Sequence, residues 1–460
     1  MRRRDRSLLS NAMSLLVCGL LAGVVVAAAA FPAMAVSGLA AKAGADTFAS
    51  LPTVLTVQQS PQVTRVYASD GKTQIAAFYD ENRRDISIDD VATVMQEAIV
   101  AAEDTRFYKH HGVDVKGVAR AFVANSNSGE TEQGASTLTM QYVRQALEYS
   151  TSDPQGIVDA TSDTPGRKIQ EMRYALALEK QLTKKQILER YLNIAPFGNN
   201  AYGIYAAAQV YFGVTPKDLT LAQASLLAGL VKAPSSYNPM TPDGLKDSMD
   251  RRDNYVLKNM VQMGYITEAD RQKAISEPLS FKQGKTEPNG CTSVPVNSWG
   301  FFCDYLYRWW LSQPVFGADE YERENRLKSG GYTIVTSLDV NAQASAMKNI
   351  TSKVPIGRSD ALMLAGVEPG TGHIEVMAVN RTYSNDQSNN GLSTDSAKRA
   401  KGIKGNYPNT TTPLISGGGD IVGYQFGSTF KMFTMLTALE QGIPLDYSFN
   451  ALDVYESKKF

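Results

Sequence analysis

The most informative segment of the chain is Glu103-Asp104-Thr105-Arg106-Phe107-Tyr108-Lys109-His110-His111-Gly112, which brings two carboxylates, aromatic rings and histidines together. Gly-Ala-Ser-Thr-Leu-Thr-Met-Gln follows at residues 134–141, and Arg-Lys-Ile-Gln-Glu follows at residues 167–171. A fourth block runs from Ile187 through Tyr191-Leu192-Asn193 to Tyr211-Phe212-Gly213. Each block alone is weak evidence, whereas four blocks in this order and spacing are hard to obtain by chance.

Together the four blocks resemble the glycosyltransferase half of a class A penicillin-binding protein. Residues 103–112 fit the family pattern E-D-x-x-F-x-x-H-x-G at every fixed position, and residues 167–171 fit R-K-x-x-E. The second block is similar to the family's G-G-S-T-I-T-Q-Q but departs from it at Ala135, Leu138 and Met140. The resemblance implies a mainly α, lysozyme-like glycosyltransferase domain over residues 81–285.

The resemblance also implies a mechanism. Joining sugars with inversion requires a carboxylate base for the acceptor hydroxyl and positive charge at the leaving diphosphate. The family assigns the base to Glu103 and the second acidic role to Glu171, with Arg167 and Lys168 facing the diphosphate. Arg167 and Glu171 are one helical turn apart, so they share a helix face. Further substrate contacts are implied for Asp104, Phe107, His110, Gly112, Ser136, Thr137, Gln141 and Asn193.

Simpler interpretations exist for each of these residues. Glu103-Asp104 could form a solvated helix face, and Arg167 with Glu171 could be a surface pair worth about 0.3–0.5 kcal/mol. Ser136 and Thr137 could cap a helix, and for His110 a structural role is favoured over a catalytic one. The joint occurrence of all four blocks favours the glycosyltransferase.

The N-terminus predicts export through a membrane. Arginines at positions 2, 3, 4 and 6 form a basic cytoplasmic tail over residues 1–11, and an uncharged stretch over 12–36 is long enough to cross a bilayer. This predicts one transmembrane signal anchor, a juxtamembrane segment over 37–80, and catalytic domains outside a bacterial cell membrane. The alternative is a cleaved signal peptide, because Ala33-Met34-Ala35 is an A-x-A site.

Composition excludes other classes of partner and cofactor. The chain has 46 basic and 46 acidic residues, so no global field favours nucleic acid. It has three His and three scattered Cys, which excludes a Cys/His zinc cluster. No cofactor is required by the sequence, although the resemblance and the leaving-group charge would accommodate Mg or Mn at the diphosphate. In an oxidising compartment Cys291 and Cys303 can form a disulfide; the alternative is two reduced thiols.

Beyond the first domain the patterns change. Residues 148–166 are polar with little periodicity and predict a mobile loop. Strand-like alternation at 62–67, 332–336 and 374–378 predicts β-structure. Residues 286–345 read as a linker, and 346–460 as the N-terminal part of an α+β penicillin-binding domain of the serine transpeptidase or β-lactamase kind.

A second active site is indicated by Ser428-Thr429-Phe430-Lys431, the S-x-x-K of penicillin-binding proteins. In that family Ser428 would be the nucleophile and Lys431 would help to deprotonate it. A K-[ST]-G motif should follow the nucleophile, but Lys328-Ser329-Gly330 precedes it, so the transpeptidase domain is expected to be incomplete and inactive.

The function predicted from these features is polymerisation of lipid II into glycan strands, with release of undecaprenyl diphosphate, within a bifunctional transglycosylase and DD-transpeptidase. The expected partners are lipid II, the nascent glycan strand, the bacterial cytoplasmic membrane and other cell-wall synthesis proteins. β-Lactams would bind only to a completed transpeptidase domain. The alternatives are a lysozyme-like glycan-cleaving enzyme, with Glu103 as general acid, and a non-catalytic cell-wall scaffold.

Overall fold

A computed structural model describes residues 60–118, 136–150, 154–162, 164–282, 287–417 and 427–450, with isolated positions before residue 60. The chain divides into two compact units. The first comprises Met1–Arg65, Ala77–Glu287 and Tyr321–Thr333, and the second comprises Val66–Ala76, Pro288–Glu320 and Ile334–Phe460. The segment 286–345, expected to be a linker, is thus divided between the two units.

The chain has short strands at β1 (Thr64–Tyr67), β2 (Gln74–Phe78), β3 (Asn82–Arg83), β4 (Ala201–Tyr202) and β5 (Thr333–Val335). They form a three-stranded sheet in the order β2-β1-β5 and a parallel pair of β3 with β4. The strand predictions at 62–67 and 332–336 are confirmed.

The first unit is otherwise helical, which confirms the mainly α prediction. Its helices are α1 (Thr93–Glu103), α2 (Leu138–Glu148), α3 (Pro154–Thr161), α4 (Pro165–Leu178), α5 (Lys184–Ile194), α6 (Gly203–Phe212), α7 (Leu221–Leu230), α8 (Pro242–Arg251), α9 (Leu257–Gln262) and α10 (Glu268–Ser276). A π-helical turn, Arg252–Val256, connects α8 to α9.

Threonines fix where many of these helices begin. The hydroxyls of Thr137, Thr164, Thr183, Thr220, Thr241 and Thr267 each accept a hydrogen bond from a backbone N–H in the first turn of α2, α4, α5, α7, α8 and α10. Each bond satisfies a backbone donor that the helix itself leaves unpaired, and such a cap is typically worth about 1 kcal/mol. The residue at which each of these helices begins is therefore set by a threonine directly before it in the sequence.

One large apolar core holds the first unit together. Helix α1 packs against α7, and α2 packs against α4 and α5. The predicted helical positions Ile187, Leu188, Tyr191 and Leu192 all face this core from α5. Met140, where the second block departs from the family pattern, is also buried in it, so its side chain packs among apolar neighbours.

The segment over 148–166 was predicted to be a loop, and this is wrong for part of it. Helix α3 occupies Pro154–Thr161 and α4 starts at Pro165. Proline is accepted in the first turn of a helix because its missing N–H would have no helical partner there. Helix α3 packs against α2, and such tertiary packing stabilises a short helix whose own periodicity is weak.

The second unit contains both helices and strands. Its further elements are α11 (Gly300–Ser312), α13 (Val340–Lys353), α14 (Ser396–Ala400), α15 (Lys431–Glu440), β6 (Met363–Val367), β7 (Ile374–Val379), β8 (Thr382–Tyr383) and β9 (Asn409–Thr410). Helix α12 (Glu320–Ser329) belongs to the first unit from Tyr321 onward. Strands β6 and β7 pair antiparallel, and α13 packs on β7. The strand predicted at 374–378 is confirmed.

A disulfide joins Cys291 to Cys303 in the second unit, with a Cα–Cα distance of 5.4 Å. Over the residues that the structure describes, no helix is both long enough and apolar enough to span a membrane. The predicted anchor over 12–36 lies outside those residues, apart from the single position Met13.

Candidate active site

Glu103 is the last residue of α1, and its carboxylate is held from two sides. One oxygen accepts a hydrogen bond from the Gln141 amide on α2, at 2.9 Å. The other is 3.4 Å from the guanidinium of Arg251, the last residue of α8. Only 11% of the Glu103 side chain is exposed. Burial raises the pKa of this carboxyl, although the Gln141 hydrogen bond and the charges of Arg251 and Lys232 oppose the rise.

A second hydrogen bond orients the Gln141 amide. The hydroxyl of Tyr191, fully buried on α5, donates to the Gln141 carbonyl oxygen at 2.9 Å. The amide nitrogen is then directed at Glu103. Three helices thereby fix one carboxylate, and a raised pKa in a defined geometry is what a general base near neutral pH requires.

Other residues of the first block hold the N-terminus of α2 in place. Asp104 is buried, and its carboxylate accepts hydrogen bonds from His110 Nε2, at 2.9 Å to Oδ2, and from the backbone N–H of Leu138, at 3.1 Å. A carboxylate at the N-terminus of a helix is stabilised by the helix dipole. The Thr137 hydroxyl donates to the Gly112 carbonyl at 2.6 Å. His110 thus contacts the carboxylate that accepts from the start of α2, and its implied substrate contact stays a prediction.

Gly112 is required by its backbone. Its φ is +82°, in the left-handed region, and a Cβ added there would lie 2.7 Å from the carbonyl of Ala175 in α4. No other residue fits such a close approach of two backbone segments. The glycine of the pattern thus allows the first block to lie against the backbone of α4.

The third block forms a cationic cluster around Glu171. Arg167 pairs with Glu171 one turn along α4, and both side chains are almost fully buried. Lys168 lies 3.8 Å from the second Glu171 oxygen and donates to the Ser136 hydroxyl, while a third of its side chain is exposed. Burial raises the pKa of Glu171, and the charges of Arg167, Lys168 and Arg144 oppose the rise.

Helix α2 links the two glutamates. Gln141 donates a hydrogen bond to Glu103, and the positive charge of Arg144, three residues further along α2, opposes the raised pKa of Glu171. Residues three apart lie on one helix face. One face of α2 therefore serves both the buried base and the cationic cluster, which brings the first, second and third blocks together.

Two predicted residues lie deeper. Phe107 is fully buried in the core, with the Lys184 ammonium 4.3 Å from its ring centroid. Asn193 exchanges two hydrogen bonds with the backbone of Ile86, at 2.8 and 3.1 Å, and ties α5 to that segment. Their implied substrate contacts stay predictions.

The S-x-x-K residues lie in the second unit. Ser428 is in a 3₁₀ turn, Gly427–Phe430, and Lys431 begins α15; both are exposed. Phe430 in the turn and Met432, Phe433, Met435 and Leu436 in α15 are also exposed. The roles of Ser428 and Lys431 stay predictions.

Sequence reasoning missed several members of the site, namely Arg144, Tyr191, Lys232 and Arg251. Arg251 is 148 positions from Glu103 and sits in a polar helix, where an arginine normally points to solvent. Only the π-helical turn that follows it is a structural signal, because such turns are frequent at functional sites. In the described part of the chain no group of three or more His, Cys, Asp and Glu lies close enough to hold a metal ion.

Part of the chain matches known proteins. Residues 71–261 match the Transglycosylase family model. Penicillin-binding protein 1A of Neisseria gonorrhoeae is 40% identical over 250 residues, which is 54% of this chain and 29% of that protein. Penicillin-binding protein 2D of Bacillus subtilis (strain 168) is 32% identical over 331 residues, 71% of this chain and 43% of that protein. The chain thus spans less than half the length of these relatives.

A solved structure also matches. The crystal structure of penicillin-binding protein 1A from Haemophilus influenzae covers 63% of this chain and 29% of its own chain, at 22% identity and a TM-score of 0.33. That likeness is too low to support conclusions about shape. The family match identifies a transglycosylase domain over residues 71–261. Through this domain the chain is related to the class A penicillin-binding proteins.

Proposed function

We propose that the chain is a peptidoglycan glycosyltransferase, which polymerises lipid II into glycan strands and releases undecaprenyl diphosphate. One observation carries the proposal: a buried carboxylate, Glu103, and a cationic cluster around Glu171 are served by the same face of α2. This pairing of a base with positive charge is what transfer from a diphosphate donor requires. The transglycosylase match over residues 71–261 supports the same reaction.

In the proposed step Glu103 takes the proton from the 4-hydroxyl of the acceptor sugar. The acceptor oxygen bonds to the anomeric carbon of the donor, and the bond from that carbon to the diphosphate oxygen breaks. The electron pair of the broken bond leaves with the diphosphate, so the proton ends on Glu103 and the new negative charge on the leaving group. The pKa of Glu103, raised by burial, makes the carboxylate a better proton acceptor than an exposed glutamate.

The protein's own cations would stabilise the leaving diphosphate. Lys168 is partly exposed and Arg144 is exposed, so both can reach a ligand, while Arg167 is buried against Glu171. Glu171 already pairs with Arg167 and Lys168, so its carboxylate does not fit the role of ligand to a resident Mg or Mn. A cation that arrived on the diphosphate would take its oxygen ligands from phosphate and water.

The alternative of a lysozyme-like hydrolase is less well supported. Such an enzyme uses its second carboxylate as base or nucleophile, but Glu171 is almost fully buried and neutralised by Arg167 and Lys168. We also propose that the chain is anchored by one N-terminal span with its catalytic domain outside the membrane, because a lipid-linked substrate lies at the membrane surface.

The test is polymerisation of labelled lipid II by the detergent-purified chain, beside Glu103→Gln and with or without a divalent cation. We expect glycan strands from the parent, none from Glu103→Gln, and no absolute need for the cation. Absence of polymer from a folded parent that binds lipid II would favour a scaffold. Release of soluble fragments from intact glycan would favour the hydrolase.

A further inference from the structure

Arg251 is held in place by more contacts than one ion pair needs. Its Nε donates to the carbonyl of Gly229 in α7 at 3.0 Å, and its Nη2 lies 3.4 Å from Glu103 Oε1. The guanidinium carbon is 4.5 Å from the centroid of the Tyr255 ring and 5.8 Å from that of Tyr237. The planar group is therefore fixed by a carbonyl on one edge and by aromatic rings.

This arrangement differs from a surface salt bridge. Only 10% of the Arg251 side chain and 11% of the Glu103 side chain are exposed, so water screens the pair weakly. The Gly229 carbonyl and Tyr255 hold the guanidinium independently of Glu103. The side chain consequently loses little freedom when it meets the carboxylate.

Other groups that face Glu103 come from the elements packed around it. Gln141 on α2 is neutral, Tyr191 on α5 is a buried phenol, and Lys232 follows α7. Of the side chains whose charges oppose the raised pKa of Glu103, Arg251 has the larger effect and Lys232 the smaller. Arg251 is also the cation in contact with a carboxylate oxygen.

We propose that Arg251 is a positioning residue for the Glu103 base: it fixes one carboxylate oxygen and keeps the carboxylate ionised when the acceptor sugar binds. The inference rests on the proposed glycosyltransferase. At 3.4 Å in a largely buried site, Arg251 acts on Glu103 chiefly through its positive charge, while the absence of a short hydrogen bond leaves the carboxylate able to accept a proton.

Loss of Arg251 should affect kcat in a pH-dependent way. Without Arg251 the ionised form of Glu103 loses a nearby positive charge, so its pKa rises further and the acid limb of the pH–rate profile moves to higher pH. On that limb Arg251→Met should lower kcat at least about tenfold, while at high pH kcat should return towards the parent value. The KM for lipid II should change little, because Arg251 acts through Glu103.

The test compares the parent with Arg251→Met, Arg251→Lys and Arg84→Met in lipid II polymerisation between pH 5 and 9. Arg84→Met is the matched control, because Arg84 also lies 4.5 Å from a tyrosine ring centroid, that of Tyr205, but is exposed and pairs with no carboxylate in the described structure. We expect the Arg84 variant to keep the parent profile. The lysine variant should recover part of the acid-limb activity, because it restores charge without the planar group.

A second readout does not depend on turnover. Carbodiimides modify protonated carboxyls, and mass spectrometry would follow labelling of Glu103 against pH in each variant. Labelling that persists to higher pH in Arg251→Met than in the parent supports the inference, whether or not the parent makes polymer. Absence of polymer from the parent would refute the proposed function alone. Unchanged labelling of Glu103, or an activity loss that is equal at all pH values, would overturn the role of Arg251 while leaving the glycosyltransferase intact.

Discussion

Replacement of Gln141 by leucine removes the hydrogen bond that most directly supports the ionised base. The Gln141 amide donates to Glu103 at 2.9 Å, and Glu103 is largely buried, so water cannot readily replace the donor. Leucine has nearly the same size and fills the same space on α2. The carboxylate would therefore lose a donor without gaining a cavity.

The size of the effect follows from the type of bond. A hydrogen bond to a charged group contributes about 1.5–3 kcal/mol. This corresponds to a roughly 10- to 150-fold fall in the ratio of ionised to protonated Glu103 at a given pH. Burial raises the pKa of Glu103, and the Gln141 hydrogen bond opposes this rise. Removal of the hydrogen bond should therefore raise the pKa further, so that activity is lost at a higher pH on acidification.

Stability should respond differently. Gln141→Leu leaves the buried Tyr191 hydroxyl without its acceptor, which costs about 1–3 kcal/mol of unfolding free energy. The double variant Gln141→Leu/Tyr191→Phe removes both partners, so stability should recover while the acid limb stays displaced. A purely structural role for Gln141 predicts instead that activity recovers together with stability.

The assay is the initial rate of lipid II polymerisation from pH 5 to 9, with thermal unfolding measured on the same samples. Gln209→Leu is the control, because the Gln209 amide donates to the Val214 carbonyl at 2.7 Å and contacts no carboxylate in the described structure. We expect it to lower stability and leave the pH profile unchanged. If Gln141→Leu showed the parent's acid limb, the reasoning would be refuted.

Three further predictions concern single positions. Burial raises the folded-state pKa of Glu103, so the ionised carboxylate lowers the stability of the fold above that pKa and has no such effect below the unfolded-state pKa. Glu103→Gln should therefore have a higher melting temperature than the parent at pH 8, and calorimetry should show this difference closing towards pH 4. Gly112→Ala should lower the free energy of unfolding by more than about 1–2 kcal/mol, because its φ is +82° and the added Cβ would clash with backbone. Gly229→Ala should raise the free energy of unfolding by about 0.5–1 kcal/mol, because its Cβ would lie 3.7 Å from the nearest atom. Denaturant titration measures both changes. Labelled penicillin should form no stable adduct at Ser428, and an adduct that Ser428→Ala removes would contradict this.

Part of the site could be predicted because its signals are local. The Thr caps, the helical spacing of Ile187 and Tyr191 and the i,i+4 spacing of Arg167 and Glu171 each depend on a few neighbouring residues. The strands at 333–335 and 374–379 follow from alternation in the same way. Helix α3 could not be predicted, because its stability comes from packing on α2.

The sequence by itself therefore determined the helical class of the first unit and singled out the two glutamates, with Arg167 and Lys168 beside Glu171, since pattern, spacing and family resemblance converge there. Only the tertiary structure decided which partners hold the base. Arg251 and Gln141 reach Glu103 from positions 148 and 38 residues away. Contacts at such separations depend on how helices pack, and the apolar pattern that drives packing specifies which face is buried but not which polar side chains meet at its edge.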